Sequence, residues 1–374
     1  MFFHTLHKRS LFTAAASAAL IAIAIVMLRF PQALANGVSR GLSVCSSVII
    51  PTLYPFMILA GVLTDSPLCT RPNRLVVAVT RRLFRLPACC GTAILLSLFG
   101  GYPAGALAIG RLKNSGRITA IEARRMTLFC INGGPGFIVS TVGAGLLGST
   151  RAGWLLFATH ATTSIGMGII LAHTGKARED NAQESPITAS PPRAFAQTVQ
   201  DTCAALLTMC GFVLLAAAGL SVWEASGLPH ALQSLSGIPA SAWSNAAAML
   251  TEVSCGCIAI AGGGSLAPFW LCLCLGWGGL SVQGQLAVAL KSHNGEKMLT
   301  KAFWSGRLVH GCVSGLIATG LFYFIPVDLP TISTPSATPF YASASASVML
   351  LLFSFMAMLC FYPKKTGNPP KDVL

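Results

Sequence analysis

Acidic residues are the scarcest chemistry in this sequence. There are 11 Asp and Glu in 374 residues, and charged residues of both signs make up only 10%. A soluble globular domain carries about a quarter charged residues, so a water-soluble fold of this size is excluded. Also missing are a Walker A loop, an HExxH or GxSxG motif, and any pair of carboxylates spaced for acid–base work. With no soluble domain to house ATP hydrolysis, the chain reads as neither an enzyme nor an ATP-driven pump. No resident cofactor or metal is implied. A proton or sodium ion as coupling partner is left open.

What is present is apolar. The hydrophobic fraction is 53% and the mean hydropathy +0.68. Several apolar runs reach the roughly 20 residues that a membrane-spanning helix needs. The expected class is an all-α polytopic protein of the bacterial cell membrane, with the lipid bilayer as its solvent. The net charge of +14 sits in short loops between apolar runs, which is the positive-inside pattern and not a nucleic-acid surface. The 13 cysteines lie mostly inside apolar runs, as Cys45, Cys130, Cys210, Cys272, Cys274 and Cys312 do. They read as small apolar packers and not as a disulfide framework. Cys255-Gly-Cys257 and Cys272-Leu-Cys274 have the look of soft-metal ligands but take the same packing reading. At the N-terminus, Lys8, Arg9, the run 11–28 and Ala33-Leu34-Ala35 imitate a cleavable signal. The run is long for that role and Arg29 interrupts the approach to the supposed cleavage site, so a retained first helix is expected.

Apolar segments fall near 11–28, 45–64, 88–109, 126–148, 152–173, 202–222, 244–264, 266–290, 302–325 and 342–362. If all cross, the basic loop with Arg71, Arg74, Arg81, Arg82 and Arg85 lies opposite the basic loop Arg111–Arg125. That violates the positive-inside rule. Letting 88–109 and 244–264 enter and leave on the same face, from opposite sides, restores it. Eight transmembrane helices and two re-entrant hairpins result, with both termini cytoplasmic. Each hairpin carries a candidate break, "FGGYPAG" (Phe99–Gly105) and "TEVSCG" (Thr251–Gly256).

At an offset of 150, "RAGWLLFATHATTS" (Arg151–Ser164) lies over "KAFWSGRLVHGCVS" (Lys301–Ser314). Trp154 meets Trp304, His160 meets His310, and Ser164 meets Ser314. Tyr102 falls over Glu252, and "INGGPG" (Ile131–Gly136) over "SVQGQL" (Ser281–Leu286). Each unit reads as helix, hairpin, broken helix, helix, with one unit inverted relative to the other. That is the layout of secondary transporters, whose substrate sits at the repeat interface. Within the second broken segment, "GWGGLSVQGQ" (Gly276–Gln285) combines glycines that permit unwinding with Ser281, Gln283 and Gln285 to serve the freed backbone.

Glu252 alone among the acids lies deep in an apolar segment, which makes it a functional candidate by default. His160 and His310 read as packed, hydrogen-bonded residues. Arg307 reads as a snorkelling residue near a helix end. The stretch His173–Ala196, with Pro186, Pro191 and Pro192, reads as a linker.

"FGGYPAGA", "FCINGGPGFIVSTVGAGLLGSTRAG", "LTEVSCG" and "GWGGLSVQGQ" together resemble the nucleoside-recognition (Gate) domain membrane proteins. The likeness runs from about residue 30 to 325 and is nearest the sporulation integral membrane branch, implicated in dipicolinate passage into the forespore. The resemblance implies a design akin to concentrative nucleoside transporters, in which two hairpins and two broken helices enclose the substrate. It divides the chain into an N-terminal helix and amphipathic lead-in (1–44), a first Gate-like repeat (45–173), a polar linker (174–201), a second repeat (202–325), and a C-terminal helix with a basic tail (326–374). It implies Tyr102, Asn132, Gly133, Gly134, Glu252, Ser254, Ser281, Gln283 and Gln285 as site lining. Family members often show two consecutive Asn where this chain has Ile131-Asn132, and His where it has Gln283. The function implied is a secondary transporter or facilitator of a small polar or anionic metabolite, dipicolinate first and a nucleoside second. It would act in the cell membrane, or in the membrane around the forespore where the host sporulates. The opposing reading is a non-transporting scaffold of a sporulation or envelope complex. A homo-oligomer is compatible with either.

Overall fold

The computed structural model describes residues 14, 17–18, 20–65, 74–174, 195–291, 296–325 and 327. The start of the first apolar segment, Arg71, most of the linker, and the C-terminal segment 342–362 with its basic tail lie outside the described residues. Among the described residues every regular element is helical.

Helix α1 (Leu20–Arg29) meets the next helix at 93°. It is apolar on all sides and exposed, as suits contact with lipid. The following helix runs unbroken through α2 (Pro31–Val44), a π-helical stretch (Cys45–Ile49) and α3 (Ile50–Asp65). Its first residue is proline, whose missing N–H is not needed in a first turn. The apolar segment read over 45–64 is thus the second part of a longer helix.

After α4 (Arg74–Leu83) comes a helical hairpin of α5 (Cys90–Phe99) and α6 (Gly101–Asn114). The turn is made at Gly100 and Gly101, the latter at φ +78°. Pro103 falls in the first turn of α6, where it is tolerated. The arms fold back on each other, since a Cβ on Gly105 would lie 2.9 Å from the Cβ of Ser97. Helix α7 (Ala120–Thr127) starts at a capping box between Thr119 and Glu122. The chain unwinds over 128–135 and resumes as a π-helix (Gly136–Leu146), followed by α8 (Thr150–Thr174).

The second half begins with α9 (Phe195–Ala225) and a short α10 (Leu228–Ser236). A second hairpin follows, α11 (Ala240–Thr251) and α12 (Val253–Ile260). Its turn is one extended residue, Glu252, at φ −152° and ψ 134°. Here too the arms fold back, with a Cβ on Gly256 only 2.8 Å from the Cα of Met249. Helices α13 (Ala267–Trp277) and α14 (Gly279–Ala289) are halves of a broken helix, and α15 (Lys301–Phe324) closes the described chain. The break at Gly278 and Gly279 sets two successive residues at φ +81° and +75°, a left-handed pair that glycine adopts with little steric penalty.

By length and composition α8, α9, the span Gly264–Ala289 and α15 are able to cross a membrane, and α1 with residues 31–49 is a fifth if taken as one bent span.

Hydrogen bonds fix which loops share an end. Arg125 Nη2 donates to the carbonyls of Phe84 (3.0 Å) and Arg85 (2.7 Å), and Arg85 donates to Ala172 O at 3.5 Å. Arg124 Nε donates to Lys297 O (3.0 Å), Asn114 donates to Lys291 O (3.2 Å), and Lys113 pairs with Glu296 at 2.8 Å. The basic loops near 85, 113–125 and 291–297 therefore gather at one end. Helix α8 finishes at that end and α15 starts there, so the two run antiparallel. The first hairpin enters from this basic end. Helix α13 starts from the other end, since α14 finishes at Ala289, just before Lys291 at the basic end, and the second hairpin comes in beside its start.

Candidate functional site

The two hairpin turns meet in the middle of the molecule, each against the break of its own half. A Cβ on Gly134 would lie 2.9 Å from Gly101 N and 3.0 Å from Phe99 O. A Cβ on Gly279 would lie 2.8 Å from the Cα of Glu252 and 3.0 Å from Val253 N. Only a residue without a side chain lets either backbone come this close. The breaks themselves lie 145 residues apart, at Gly133-Gly134 and Gly278-Gly279, so the second break falls in "WGGLS" and not in "SVQGQL", where the offset of 150 puts it.

Between the turns lies a cavity of about 50 Å³, lined by Gly101, Tyr102, Gly134, Glu252, Ser254 and Gln285 and walled by Leu53, Met57, Phe137 and Met209. It joins both hairpins, both broken helices, α3 and α9. Glu252 is buried at 2% exposure. It ends α11 and caps α12, one carboxylate oxygen accepting the Cys255 N–H at 2.8 Å. Tyr102 is buried, and its hydroxyl crosses to the other half, donating to Leu275 O at 2.7 Å.

Of the nine residues expected to line a site, Tyr102, Gly134, Glu252, Ser254 and Gln285 surround this cavity. The other four do not. Asn132 turns away, its amide donating to Phe129 O (2.8 Å) and Ser164 Oγ (2.9 Å). The Gly133 N–H points at His160 Nε2 at 3.4 Å. Gln283 donates to the Trp277 carbonyl freed by the break, at 3.2 Å. Ser281 borders a separate depression with Phe212, Leu215 and Thr251. Ser281, Gln283 and Gln285 ride on α14 and not in the unwound stretch. Asn132 Oδ1, Ser281 Oγ and Gln283 Oε1 are buried without a hydrogen-bond partner.

The reading of Arg307 as a snorkelling residue is corrected. It is 1% exposed and donates to the carbonyl of Ile131, in the first unwound stretch, and to Leu275 O at 3.4 Å, in the last turn of α13. Lone position near a helix start misled. The signal is the stripe of buried small and polar residues on one face of α15: Arg307, His310, Gly311, Ser314, Gly315 and Ala318. In a membrane helix such a face turns to protein.

His160 and His310 are fully buried, and their neutral tautomers follow from their partners. His160 Nε2 faces an N–H and accepts. His310 Nε2 faces the carbonyl of His160 at 2.9 Å and donates. Among the described residues, the cysteines are free and no group of three or more metal-ligating side chains occurs.

Buried polar residues, helices broken at their centres, and long apolar helices that expose large hydrophobic side chains define an integral membrane protein. The chain is similar to the sporulation integral membrane protein YlbJ of Bacillus subtilis (strain 168), at 28% identity over 155 residues. That match covers 41% of this chain and 38% of the Bacillus protein. No family model matches the chain, and no solved structure does.

Proposed function

We propose that this protein is a secondary transporter or facilitator for a small polar or anionic metabolite, built on the Gate-domain plan of two inverted repeats. The observation that carries this reading is the cavity shared by both hairpin turns and both broken helices. Broken helices at membrane depth are tolerated where protein or a watery cavity satisfies their freed groups, and inverted repeats with such breaks place substrate at their interface. The antiparallel course of α8 and α15, offset by 150 residues, supports inversion. The basic end is assigned to the cytoplasm by the positive-inside rule. The hairpins are then re-entrant from opposite faces.

The cavity of about 50 Å³ is smaller than the roughly 300–1,000 Å³ of a ligand pocket, so on this reading the hairpin turns part to admit substrate. Dipicolinate, a dianion, is the first candidate and a nucleoside the second; similarity to a sporulation membrane protein favours the first. Metabolite comparison of a deletion strain with its parent tests the reading. Loss of dipicolinate from spores, restored by the wild-type gene and not by a transport-dead variant, supports it. Unchanged metabolites with a disrupted envelope complex would favour a scaffold instead.

A further inference from the structure

Arg307 is the largest fully buried side chain among the described residues. Its guanidinium is held by backbone carbonyls, those of Ile131 and Leu275. Both carbonyls lie at the breaks. Ile131 lies in the unwound stretch after α7, and Leu275 in the last turn of α13. The C-terminal end of a helix carries partial negative charge, so the end of α13 and a carbonyl freed in the unwound stretch converge on one point. In transporters built from broken helices, freed carbonyls and half-helix C-termini are the groups that hold a coupling Na⁺.

We infer that Arg307 is a tethered counter-charge standing in place of a coupling alkali cation, so that the conformational cycle runs without sodium. This rests on the transporter reading above. The argument is one of occupancy. A carbonyl oxygen has two lone pairs, and Leu275 O already accepts from Tyr102 Oη at 2.7 Å and from Arg307 at 3.4 Å. An alkali ion placed against the same oxygens would meet a fixed positive charge in a dry interior, where repulsion is weakly screened. The tether also sets the location of the charge. Tyr102 shares an acceptor with Arg307 and lines the cavity, so the positive charge lies directly behind the wall that an anion would touch.

The purified full chain tests this by ²²Na⁺ binding and by thermal unfolding in sodium, potassium or choline chloride. The wild-type protein is expected to take up no saturable ²²Na⁺ and to melt at one temperature in all three salts. Arg307→Ala is expected to melt lower, and Na⁺ or sub-denaturing methylguanidinium, but not choline, to restore part of the loss. Arg307→Lys, which keeps the charge, is expected to gain no such cation dependence. Saturable sodium binding or sodium-raised melting of the wild-type protein would overturn the proposal, and that reading needs no variant to accumulate. So would an Arg307→Ala response equal for choline, sodium and methylguanidinium. Neither measurement uses a transported substrate, so its failure is distinct from failure of the metabolite test.

Discussion

His160 and His310 stack with ring centroids 4.2 Å apart and planes inclined by 34°, and His310 Nε2 donates to the backbone oxygen of His160. The two residues lie 150 apart in sequence, on α8 and α15, which run antiparallel, so the pair ties these two helices together where they face each other.

Removing either ring costs a buried hydrogen bond. His160→Ala leaves the Gly133 N–H unpaired and is expected to destabilise by about 1–3 kcal/mol, whereas His310→Ala removes a second bond to the His160 carbonyl, which its own helix already pairs, and is expected to cost about 0.5–1.5 kcal/mol. Because the rings touch, the double variant is expected to lose less than the sum, by about 0.5–1.5 kcal/mol. Unfolding of the four proteins in one detergent checks this; strict additivity would mean that the stacking contributes nothing.

Gly279→Ala combines a left-handed backbone with a Cβ 2.8 Å from the Glu252 Cα. The backbone alone costs about 1–3 kcal/mol, and the hairpin turn must also shift. A clear drop in melting temperature is expected. Gly166→Ala, in α8 with nothing within 4 Å of its new Cβ, is expected to be neutral or to stabilise by about 0.5–1 kcal/mol. Equal effects at the two positions would contradict the close approach of turn and break.

Glu252 both caps α12 and lines the cavity, and two substitutions separate the roles. Glu252→Gln keeps an oxygen for the Cys255 N–H, so normal accumulation with lost transport is expected. Glu252→Ala removes the cap as well and is expected to lose a further 0.5–2 kcal/mol or so of stability. Normal transport by Glu252→Gln across the pH range would exclude a charged or proton-carrying role.

Much of this architecture is written in the chain. The scarcity of charge gives the class, and the side-swapped arginines point to hairpins at 88–109 and 244–264, where the chain does fold back. Glu252 stands out because an acid at such depth is rare. Other features depend on packing. Nothing local to Ser281 or Asn132 tells which face of a helix or loop meets the cavity, so family motif and cavity wall coincide only in part. Arg307 is an ordinary helix-start arginine until α13 and the unwound stretch of the first half pack against α15 and bring the Leu275 and Ile131 carbonyls to it. The break positions, at Gly133-Gly134 and Gly278-Gly279, are set by where the hairpin turns dock, which an ungapped comparison of the halves does not reveal.

Cavity position also sorts the polar side chains. Ser254→Ala and Gln285→Ala are expected to weaken apparent affinity for dipicolinate about 5- to 150-fold, the equivalent of roughly 1–3 kcal/mol for a lost donor. Ser281→Ala, facing the separate depression, is expected to leave it unchanged. Uptake by purified variants in liposomes reads both. A loss confined to Ser281→Ala would move the site to the other side of α14.

Sidedness of the hairpins is decided by labelling single cysteines in an otherwise cysteine-free protein, in intact cells and inverted vesicles. Ser115, exposed just beyond α6, and Ser265, exposed just before α13, each accept a conservative Ser→Cys change. If two inverted halves meet at mid-membrane, Ser115→Cys reacts with an impermeant maleimide from the cytoplasmic face only, and Ser265→Cys from the outer face only. Reaction of both from one face, or of Ser115→Cys from outside alone, would contradict opposed hairpins and with them the transporter fold.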